Sequence, residues 1–63
     1  MVGVLMKSKL EMLEKRLKEE QQRLIEEAAR IGGMPSGRTI QRVAELELNI
    51  AAIENTLSEG KIT

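Results

Sequence analysis

The sequence predicts an all-α fold, an antiparallel two-helix hairpin of coiled-coil-like character. Three observations carry this. Two segments place apolar residues at alternating steps of three and four, the period of a helical seam. Between them lies Gly32-Gly33-Met34-Pro35-Ser36-Gly37, a run of helix-breaking and capping residues. The composition, 32% charged with no aromatic residue, is that of long helices.

The first helix is expected over residues 4–31. Its apolar positions are Met6, Leu10, Leu13, Leu17, Leu24, Ala28 and Ile31, and Gln21 fills the gap. From Leu10 the steps form a coiled-coil seam with one stutter, where two steps of four adjoin beside Gln21. A polar seam residue can set register or partner choice. The reading preferred here keeps Gln21 at the seam edge with its amide in water. The outer face carries Glu–Lys/Arg pairs at i,i+4: Glu11 with Lys15, Glu14 with Lys18, Glu19 with Arg23, Glu26 with Arg30. These read as a solvated face.

The turn is expected over residues 32–37, marked by Gly32, Gly33, Pro35 and Gly37. Gly32 suits the left-handed position that ends a helix. Pro35 disfavours helix at Met34. Ser36 is the expected N-cap of the second helix, with Thr39 the competing candidate. A connection this short makes the helices antiparallel neighbours.

The second helix is expected over residues 38–59, within a single domain of 63 residues. Val43, Leu46, Ile50, Ile53 and Leu57 give an unbroken seam. With Leu10, Leu13, Leu17, Leu24 and Ile31 they form the predicted hairpin core. Gly60 is the expected C-cap, and Lys61, Ile62 and Thr63 a frayed end.

Surplus apolar surface points to a partner. A second stripe on the second helix, Ala44, Leu48, Ala51 and Ala52, lies away from the seam. The first helix is the longer arm, and its overhang carries Val2, Val4, Leu5 and Met6, with Gly3 weakening helix there. Val4, Leu5, Met6, Ala44, Leu48, Ala51 and Ala52 are therefore the predicted partner interface. Met6 also offers a second translation start. A chain this short needs disulfides, a metal or association to complete a core. It has no Cys and no His, and all ten acidic residues are Glu. Association remains: a homodimer or higher homo-oligomer, as a four-helix bundle, and a protein partner to bind or regulate.

Other classes find no support. Net charge is zero, with ten basic and ten acidic residues, so no basic stripe invites phosphates and no nucleic acid is expected. No apolar run is long enough to cross a bilayer, and the opening six residues are too short for a secretory segment. No membrane is expected, and the reading is cytoplasmic. Ser8, Ser36, Ser58, Thr39, Thr56 and Thr63 have no histidine to activate them. The glycines of the turn follow a helix rather than a strand and lack a Gly-Lys-Ser/Thr context, so they do not make a phosphate loop. No catalytic residue, metal ligand or cofactor is assigned, and the chain is read as not an enzyme.

Two family resemblances accompany this reading. Ile40-Gln41-Arg42-Val43-Ala44-Glu45-Leu46-Glu47-Leu48-Asn49-Ile50 resembles the second helix of the small sporulation-regulating aspartyl-phosphate phosphatases. Their signature is Ser-Gln-Glu-Leu-Asp with an apolar residue three positions on. Glu45 and Leu46 match it, while Val43 stands at the Ser and Glu47 at the functional Asp. The resemblance suggests a divergent member of that response-regulator phosphatase family, but the key positions are not kept, so activity on a response regulator is not implied. Separately, Leu46-Glu47, Ile50, Ile53-Glu54, Leu57 and Gly60-Lys61-Ile62 resemble the returning arm of the N-terminal coiled coil in Gre-type transcript-cleavage factors. That implies an RNA-polymerase-binding hairpin. The family's acidic tip is replaced here by Gly33-Met34-Pro35-Ser36-Gly37-Arg38, so cleavage stimulation does not carry over.

Overall fold

A computed structural model describes the backbone of residues 2–59 and the side chains of residues 5–59. It shows two α-helices, α1 over Val2–Ile31 and α2 over Gly37–Glu59, packed as an antiparallel hairpin. The molecule is a rod of 48 × 14 × 14 Å. Both helices are built mainly from Leu, Glu, Lys, Arg, Gln and Ala, which lose little side-chain freedom in a helix. α1 continues through Gly3, and α2 begins one residue earlier than the spacing predicts. Gly60 and residues 61–63 lie outside the described residues.

The turn has a defined mechanism. Gly32 and Gly33 take φ of 74° and 81°, a left-handed region that a Cβ makes costly. The Gly32 N–H donates to the Ala28 carbonyl at 3.2 Å and satisfies one of the helix's last acceptors. Four residues later Ser36 caps α2. The Thr39 N–H donates to Ser36 Oγ at 3.2 Å, the Ile40 N–H donates to the Ser36 carbonyl at 3.0 Å, and the two hydroxyls lie 3.0 Å apart. Ser36, rather than Thr39, is the N-cap, and Thr39 supports it from the first turn. Gly37 belongs to α2 rather than to the turn.

The seam of α2 faces α1 as its spacing requires. Leu46 and Ile50 are buried, at 2% and 3% exposure, while Val43, Ile53 and Leu57 are half-buried. The seam of α1 departs from expectation. Leu10, Leu17, Leu24 and Ala28 are half-buried together with Glu14, Glu20 and Gln21, whereas Leu13 and Ile31 are exposed. A straight helix drifts by about 20° per heptad, so residues seven apart walk round the surface. Leu10, Leu17, Leu24 and Ile31 form such a series, and its last member has turned off the contact. Leu13 sits on the same departing flank. The stutter brings Glu14 and Gln21 inward instead.

Candidate functional site

Three exposed apolar surfaces remain once the hairpin has formed. The first is the outer side of α2. Leu48 is 71% exposed, and Ala44, Ala51 and Ala52 are exposed with it. Helical geometry advances about 100° per residue and groups Gln41, Ala44, Leu48, Ala51, Ala52 and Asn55 opposite the seam. All six are exposed. The structure thus brings together four of the residues predicted for the interface.

The second surface is the far end of α1. Leu5 and Met6 are exposed where α1, at 30 residues against 23, outruns α2. Val4 falls outside the described side chains. Met12, on the outer side of α1, is also exposed.

The third surface is the turn, where sequence reasoning had placed only geometry. Ile31 is 77% and Met34 87% exposed. Beside them Leu24, Ile25, Ala28, Pro35, Thr39, Ile40 and Val43 line a groove of about 240 Å³ that contains no charged residue. Ile25 and Ile40 were not among the predicted interface residues. Their signal was present: Ile25 follows the seam residue Leu24, and Ile40 lies three before Val43, so both flank the same side of the hairpin.

Polar groups fasten one flank of the rod. Gln21 Nε2 donates to Glu47 Oε2 at 2.9 Å and to the Val43 carbonyl at 3.4 Å. The amide expected in water is instead held across the helices. Lys18 lies 3.0 Å from Glu54 and 3.6 Å from Glu14. Its bond to Glu54 raises the Lys18 pKa and lowers that of Glu54. On the other flank Arg23 grips Glu20 through two nitrogens, each at 2.9 Å, and reaches Glu27 at 3.4 Å. That contact lowers the Glu20 pKa and raises that of Arg23. The predicted Glu14–Lys18 pair is present, while Arg23 turns to Glu20 and Glu27 instead of Glu19. The lowered pKa values of Glu20 and Glu54 keep these two carboxylates charged near neutral pH.

Among the described residues no group of three or more metal-ligating side chains converges, and no helix is long and apolar enough to cross a membrane. No buried side-chain nitrogen or oxygen among them lacks a hydrogen-bond partner. The exposed apolar area is carried by the two helices and the turn between them. In comparison with known proteins, no family model, no curated protein and no solved structure matches the chain.

Proposed function

We propose that the protein is a non-enzymatic interaction module, a helical hairpin that self-associates and in that form binds or regulates a protein partner. One observation carries the reading. The hairpin buries only Leu46 and Ile50 among the described residues, while Leu48, Ile31 and Met34 stand more than two-thirds exposed. Large apolar patches rimmed by polar residues mark interaction surfaces, and a chain with so small a core gains most from covering them. Two hairpins joined in this way make a four-helix assembly. The turn, with Ile25, Ile31, Met34 and Ile40, then remains for a different chain.

Light scattering on the purified chain at micromolar concentration tests the first half of the proposal. A mass of twice the monomer, reduced to the monomer by Leu48→Lys, is the expected result. A folded monomer throughout would contradict it. Capture of one specific protein from the native cell, lost on Met34→Lys, tests the second half.

A further inference from the structure

The outer face of α2 has a symmetry that names its occupant. α2 spans Gly37–Glu59, and Leu48 is its middle residue, eleven positions from each end. Ala44 and Ala52 lie four positions to either side, and Gln41 and Asn55 seven. All five are exposed on the side away from α1. A two-fold contact requires a patch complementary to itself after a half-turn, so that residue 48+k meets residue 48−k of the other copy. At these five positions the face meets that condition: leucine on leucine at the axis, alanine on alanine beside it, and two carboxamides able to bond each other beyond, with the exposed Glu45 at the rim. The alanines let the two backbones approach closely.

Charge selects the antiparallel orientation. Arg38 and Arg42 occupy the start of α2, while residues 43–59 carry Glu45, Glu47, Glu54 and Glu59 and no Lys or Arg. Parallel pairing would set the arginines against each other and the glutamates likewise. Antiparallel pairing sets the arginine end of one copy beside the Glu59 end of the other, Glu54 being held by Lys18 of its own hairpin at 3.0 Å. The glutamate nearest the axis on one flank, Glu47, has its carboxylate turned back toward α1 by the Gln21 amide at 2.9 Å. That contact keeps its charge off the shared face.

We infer that the occupant is a second copy of this chain, its α2 laid antiparallel on α2 with the two-fold axis at Leu48. The two α2 helices form the centre of the assembly and the two α1 helices its outside. This rests on the self-association proposed above and adds its face, direction and register.

The chain has no cysteine, so introduced ones report position cleanly. Leu48→Cys, on the axis, should oxidise to a symmetric disulfide-linked dimer. An equimolar mixture of Ala44→Cys and ¹⁵N-labelled Ala52→Cys chains should link 44 to 52 over like-to-like by at least roughly tenfold, because like positions sit about 12 Å apart along the axis and a disulfide spans about 4.4–6.8 Å between Cα atoms. Ile25→Cys, on the groove side, should cross-link much more slowly. In a wild-type dimer, statistical pairing of the mixture, or fastest linkage at Ile25→Cys, would overturn the register and leave self-association standing. A wild-type monomer would overturn both.

Discussion

Gln21 and Glu47 join the two helices side chain to side chain, the half-buried amide of one donating to the exposed carboxylate of the other at 2.9 Å. The pair sits where the α1 seam stutters. Its second donation, to the Val43 carbonyl, ties α1 to the backbone of α2 as well.

Removing that tie should be felt modestly. Gln21→Ala is expected to destabilise the hairpin by about 1 kcal/mol, the usual net value of such a bond. Glu47→Ala should cost less, because the Val43 carbonyl still receives the amide. A double-mutant cycle in urea, with both single variants and the pair, measures the coupling directly. Additive losses would show that the two side chains act independently.

The core is concentrated in Leu46 and Ile50, and each should be far more sensitive than any other apolar position. Leu46→Ala or Ile50→Ala is expected to cost about 2–5 kcal/mol, enough to unfold a chain of this size. Leu13→Ala and Ile31→Ala, both off the contact, should leave far-UV circular dichroism near that of wild type. Equal losses at Leu13 and Leu46 would contradict the seam described here.

Gly33 and Gly37 should respond to alanine with opposite signs. Gly33→Ala places a Cβ at φ of 81° and should cost about 1–2 kcal/mol despite open space around it. Gly37→Ala puts the same methyl in the first turn of α2, also with nothing within 4 Å, and should stabilise by about 0.4–1 kcal/mol. Ser36→Ala, which removes the acceptor for the Thr39 N–H, should cost about 1 kcal/mol. Melting temperatures of the three variants are the check.

The Lys18–Glu54 bridge should give stability a defined pH window. Glu54 has a lowered pKa in the folded chain, so its contribution is present above the ordinary glutamate value of about 4.3 and is lost as pH falls through the lower folded value. Lys18 has a raised pKa, so its contribution is present below about 10.4 and is lost as pH rises through the higher folded value. Both groups are exposed and screened by solvent and salt, so the effect is small. Glu54→Gln should narrow the difference between melting temperatures at pH 7 and pH 3 while leaving most of it. An unchanged difference would show that the bridge is not formed.

Much of this architecture was legible in the residues. The Gly32-Gly33 stop, the Ser36 cap and the Val43–Leu57 seam follow from local chemistry and a strict period, and the structure shows each. The first seam was legible only in part. Leu13 and Ile31 fit a seven-residue repeat, but repeat membership does not say how far an unsupercoiled helix has drifted. Gln21 needed the offset between the arms before its partner could be named, and no single-helix pattern contains that offset. The exposure of Met34 follows from the two left-handed glycines before it, which carry the chain round outside the helix contact. The exposed outer stripe at Leu48 was readable because it lies opposite an unambiguous seam.

The claim that the hairpin completes itself with another copy is tested most directly by thermal unfolding of the wild-type chain over a hundredfold range of protein concentration. Association of folded chains makes the melting temperature rise with concentration by mass action. The account predicts that rise, and predicts that Leu48→Lys abolishes it. A melting temperature independent of concentration, with full helicity at the lowest concentration, would contradict it.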